Sequence, residues 1–80
     1  MKKWLNIWKV RYNPSGTGSI PVYFDNKNAA DEFAASHDSA DEAVRICSNG
    51  DNPDDVYDIN VYKSAEDYDN DNYYSMWVQR

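Results

Sequence analysis

Apolar and aromatic side chains recur along residues 4–12, at Trp4, Leu5, Ile7, Trp8, Val10 and Tyr12, with Asn6, Lys9 and Arg11 between them. This aromatic and β-branched content predicts a strand, and residues 20–24 predict a second, shorter one. The segment between them, Asn13-Pro14-Ser15-Gly16-Thr17-Gly18-Ser19, reads as the flexible tip of a hairpin. Pro21 cannot donate a ladder hydrogen bond, so the second strand is expected at a sheet edge or with its proline nitrogen turned away from its partner. Residues 25–28 then supply capping side chains, and Ala29, Ala30, Phe33, Ala34 and His37 recur at helical spacing. They predict a helix over about residues 27–37. Ser39 followed by Glu42 forms a capping-box pattern ahead of Ala40, Ala43, Val44 and Cys47, which predicts a second helix over about 40–48, ended by Asn49-Gly50. The run Val44-Arg45-Ile46-Cys47 taken alone has strand content.

After the turn residues 51–55, alternation resumes over 56–63 with Tyr57, Ile59 and Val61 on one face, and again over 73–79 with Tyr74, Met76 and Val78 on one face. Residues 64–72 read as an acidic loop. The expected fold is α+β in one domain spanning residues 1–80: a four-stranded antiparallel sheet in the chain order β-β-α-α-β-β, with two short helices on one face. Ile20, Val22, Phe24, Ile59, Val61, Met76 and Val78 are expected to face the helices. Alternation then sends Tyr23, Tyr62, Tyr73 and Trp77 to the other face.

Composition changes this picture in two ways. Aromatics are 15% of 80 residues, more rings than Ala-rich helices can cover on one side of a sheet, so some are expected at the surface. Charge is also unevenly placed. Residues 1–24 hold Lys2, Lys3, Lys9 and Arg11 and no acid, whereas all 14 acids lie beyond them, in a chain of net charge −6. Such a surface repels nucleic acid and attracts basic proteins.

Catalytic and metal chemistry finds little support. The only His is His37, at a predicted helix end, and the only Cys is Cys47, on a small apolar face, so both read as structural. The glycine-containing tip joins two strands and lacks the lysine of a phosphate-binding loop. Asp67, Asp69 and Asp71 alternate like the opening of a calcium loop, but Asn72 and Val78 stand where glycine and a bidentate glutamate are required. In an extended chain these three carboxylates would stand ~6.6–6.8 Å apart on one side, near the scale of successive nucleic-acid phosphates. No cofactor and no enzymatic activity are expected. The start of the chain lacks the continuous apolar segment of a secretory signal, and no stretch reaches the ~20 apolar residues of a membrane span. A cytoplasmic protein is the expectation.

In size, acidity and lack of catalytic residues the chain resembles the small inhibitors of host defence carried by phages and mobile elements, of the anti-CRISPR and DNA-mimicking anti-restriction type. The resemblance rests on the acids between Asp38 and Asp71, on Tyr57, Tyr62, Tyr68, Tyr73 and Tyr74, and on the Asn-rich turns, with no family motif matched. It implies a stoichiometric inhibitor, encoded by a phage and acting in the bacterial cytoplasm, that occupies a basic nucleic-acid site on an effector complex. The expected contacts are Asp51, Asp54, Asp55, Asp58, Glu66, Asp67, Asp69 and Asp71 as charges and Tyr62, Tyr68 and Tyr73 as anchors, with no direct nucleic-acid contact. Two other readings remain open. One is a single-stranded nucleic-acid binder using Lys2, Lys3, Lys9 and Arg11 with Trp4 and Trp8. The other is a small regulatory subunit that forms a homodimer.

Overall fold

The computed structural model describes residues 3–16, 18–48 and 56–79. Five strands, β1 (Lys3–Tyr12), β2 (Ile20–Phe24), β3 (Val44–Ser48), β4 (Val56–Tyr62) and β5 (Tyr74–Gln79), form one sheet in the order β3-β1-β2-β4-β5. The pairs β1–β2, β1–β3 and β4–β5 are antiparallel, and β2–β4 is parallel. Two helices, α1 (Lys27–Ser36) and α2 (Ala65–Asp69), complete the fold. This corrects the expected four-stranded antiparallel sheet. The sheet is mixed, and the chain order is β-β-α-β-β-α-β.

Local chemistry accounts for α1. Asn26 is its N-cap, with Oδ1 accepting from the Ala29 amide at 2.8 Å, and Ala29, Ala30 and Phe33 form the buried stripe. The helix stops at Ser36, and the His37 ring folds back so that Nδ1 reaches the Phe33 carbonyl at 2.9 Å. The predicted helix over 40–48 is instead a strand. Ser39 accepts from the Asn13 amide, Asp41 donates to the Arg11 carbonyl, and Ala40 bridges Tyr12, so the segment is drawn alongside β1 before Val44 begins β3. A ten-residue β1 has a second edge to satisfy, and that long-range pairing overrides the capping-box pattern.

The β1–β3 register shifts between Trp4 and Trp8. At this irregularity the Leu5 carbonyl accepts from Arg45 Nε at 2.7 Å, and Arg45 also donates to Asn6 Oδ1 at 3.0 Å. The guanidinium lies 5.5 Å from the Trp8 ring centroid. A backbone group freed by the bulge is thus taken up by a charged side chain.

The expected loop over 64–72 contains α2. Ser64 caps it by accepting from the Asp67 amide at 3.1 Å. Its end is a Schellman turn: Asn72 N donates to the Asp67 carbonyl and Asp71 N to the Tyr68 carbonyl, with Asp71 in the left-handed region at φ 56°.

Both sheet faces are apolar. Val10, Val22 and Phe24 pack with Ala29, Ala30, Phe33 and Ala65 beneath the helices. On the opposite face Ile7, Ile59, Val61 and Val78 form a second buried cluster, closed around by Leu5, Tyr23, Ile46 and Met76. The expected sidedness is therefore corrected for β4 and β5. Phe24 aligns with Tyr62 and Tyr23 with Val61, so Tyr62 joins the helix-covered side while Ile59, Val61, Met76 and Val78 leave it. When both faces are hydrophobic, alternation gives the two faces of a strand but not which one meets the helices.

Candidate binding surface

The helix-covered side carries a continuous aromatic cluster. Phe33 contacts Phe24, Tyr12, Tyr68 and His37, with ring centroids 4.0–5.3 Å apart. Tyr68 continues to Tyr62 at 5.2 Å, and Tyr62 to Tyr73 at 5.7 Å. The cluster thus runs from a fully buried ring at Phe33 to one that is 45% exposed at Tyr73. Tyr62 and Tyr68 are half-buried.

Acids border this exposed end. Glu66, Asp69 and Asp71 are exposed on α2 and its closing turn, and Asp67 is half-buried, with Oδ1 accepting from Asn72 Nδ2 at 3.4 Å. Asp67 and Asp69 lie on a helix, which turns ~100° per residue, and Asp71 follows a chain reversal. The extended, one-sided spacing expected for these three carboxylates is therefore not formed. Asp58 lies on β4, exposed and aligned with Trp77 of β5, which is 71% exposed. Asp51, Asp54 and Asp55 lie outside the described residues. Among the described residues the one ion pair is Lys27–Asp31 at 3.2 Å, so none of the acids around Tyr73 and Trp77 is ion-paired there, although Lys63 shares a depression with Asp67 and Tyr73.

The tyrosines register this environment. Burial, followed by the Asp71 charge, raises the Tyr62 phenol above its ordinary value. Tyr68 is raised by burial and then by Tyr12 and Asp69. Tyr74, on the other face, is raised by burial and by its hydrogen bond to Asp25 Oδ2 at 3.0 Å. All three are neutral donors at physiological pH.

A cleft of about 530 Å³ opens beside the cluster, lined by Ile20, Pro21, Val22, Tyr23, Asp58, Ile59, Asn60, Tyr62 and Tyr68. Its origin is a fork in the sheet. β2 and β4 pair only at Tyr23–Val61 and Phe24–Tyr62 and separate toward Ile20 and Asp58. Pro21 stands on the separated stretch, so an interior strand tolerates proline because over Ile20–Val22 it behaves as an edge. Sequence reasoning did not find this cleft. Its one local signal was Pro21, since the parallel pairing that creates the fork is long-range.

Of the basic residues expected to act with the tryptophans of the first strand, Lys2 lies outside the described residues and Lys9 is not brought together with Trp8. Trp8 aligns with Phe24 on the helix side, whereas Lys9 aligns with Tyr23 on the other. Lys9 and Arg11 line a separate depression with Ser19, Ile20, Pro21 and Tyr23. Among the described residues no group of three His, Cys, Asp or Glu side chains has the geometry to hold a metal ion, and no helix is long and apolar enough to cross a membrane. Comparison of the chain with protein-family models, curated proteins and solved structures returns no match.

Proposed function

We propose that this chain is a non-enzymatic inhibitor that binds a basic nucleic-acid-binding surface on a host defence complex, such as a CRISPR-Cas effector, and keeps DNA from entering or the complex from being activated. The observation that carries the reading is a pair of exposed aromatics beside acids on one side of the sheet, Tyr73 at the end where α2 carries Glu66, Asp69 and Asp71, and Trp77 four residues further along, aligned with Asp58, with no cation paired to these acids among the described residues. Unpaired carboxylates give long-range attraction to a basic surface and speed encounter, and partly buried aromatic rings give residence once contact is made. The compositional resemblance to phage inhibitors directs the choice of partner. The chain is then phage-encoded and works in the host cytoplasm.

Affinity capture from bacterial lysate with tagged protein, washed at low and high salt and identified by mass spectrometry, tests this reading. The expected result is a nucleic-acid-processing complex retained at low salt and released as salt rises. Retention of proteins without a basic nucleic-acid site, or of none, would contradict it.

A further inference from the structure

We propose that the fork between β2 and β4 is a receptor for an arginine side chain of the partner. This rests on the reading that the partner is basic and names the group it inserts. The cleft, at about 530 Å³, is large enough to enclose a guanidinium and its aliphatic stem. Its walls combine the groups that a guanidinium requires. Ile20, 44% exposed, offers apolar surface to the stem with buried Val22 behind it, and the half-buried rings of Tyr62 and Tyr68, packed edge to face at 5.2 Å, supply aromatic surface for the guanidinium.

At the open end stands the Asp58 carboxylate, exposed and without an ion-pair partner among the described residues. Beside it, Asn60 Oδ1 accepts from Ser75 Oγ at 3.3 Å and keeps a second lone pair for an incoming donor. Aromatic surface on one side and a carboxylate at the mouth favour guanidinium over a lysine ammonium, which is more strongly hydrated and lacks a face to stack. The cleft follows from topology and not from the density of acids. No acid of α2 lines it.

The test uses the full chain and Nα-acetyl-arginine methylamide as probe, followed by amide chemical shifts at low salt. The expected shifts are saturable and centred on Ile20, Asp58, Asn60, Tyr62 and Tyr68. Asp58→Asn weakens apparent binding by roughly threefold to tenfold, and Asp58→Glu restores most of it. Asp58 is exposed, so its substitution leaves the remaining spectrum unchanged and folding does not confound the result. Absence of saturable shifts, shifts unaffected by Asp58→Asn, or equal binding of the lysine analogue would overturn the proposal. The probe is independent of any captured complex. A fork that binds arginine in a chain that captures no nucleic-acid-processing complex would sustain this inference while contradicting the proposed function.

Discussion

Phe33 is the residue on which most of the packing converges, being fully buried and in ring contact with four neighbours. Phe33→Ala is expected to cost roughly 3–5 kcal/mol in urea denaturation, a large part of what a small domain has to lose. Asp71 behaves differently. It holds a left-handed conformation that glycine adopts without a Cβ penalty, so Asp71→Gly is expected to stabilise the fold by up to ~1 kcal/mol, and Asp71→Val to destabilise it. Comparison of urea midpoints checks both.

The raised phenols of Tyr62, Tyr68 and Tyr74 give a pH dependence with a definite sign. A folded-state pKa above the unfolded one means that the native state holds its proton more tightly. The contribution is present in full below the unfolded value near 10 and is lost as pH rises through the folded value. Ultraviolet titration of the seven tyrosines is expected to show a late-ionising subset, with unfolding at the alkaline end. Ionisation of all seven in one step at the ordinary value would contradict the described packing.

At the scale of elements, legibility followed locality. The α1 helix was readable because Asn26 and the Ala29–Ala30–Phe33 stripe are adjacent in sequence, and the cap does more than close a helix. Asn26 Nδ2 also donates to the Lys63 carbonyl at 2.9 Å, tying the start of α1 to the end of β4. Asn26→Ala should therefore cost about 1–2 kcal/mol, toward the upper part of the range for N-caps, whereas Asn26→Ser, which keeps the cap alone, should cost less.

The α2 helix carried a readable signal, Ser64 three residues before Asp67, but the surrounding acids made the segment look like a solvated loop. The β3 strand had the opposite difficulty. A local capping pattern at Ser39 and Glu42 competed with the strand content of residues 44–47, and the unpaired edge of β1, invisible to local reading, decided between them. The parallel β2–β4 register was likewise illegible, and with it the fork and the side to which Tyr62 turns.

Across the whole molecule, charge and aromatic surface lie along one side of β4 and β5, from α2 and Tyr73 at one end to Asp58 and Trp77 toward the other. The sequence located the acids and tyrosines of this region by composition. It could not show that Tyr62 and Tyr68 are shared between core and surface, or that Trp77 stands beside Asp58, because those relations depend on strand register. Asp67→Asn, Asp69→Asn and Asp71→Asn together remove three of the 14 acids. They are expected to weaken partner binding and flatten its dependence on salt while leaving the aromatic cluster in place. Unchanged affinity and salt slope would remove these carboxylates from the interface.

The central claim is that the chain and DNA compete for one basic surface. Fluorescence anisotropy of labelled duplex DNA on the captured complex, titrated with this protein, tests it most directly. The account predicts displacement of the DNA to completion by the wild-type chain, with a midpoint shifted to higher concentration for the triple asparagine variant. Stable DNA binding at saturating protein, with both bound at once to a complex that remains active, would contradict it.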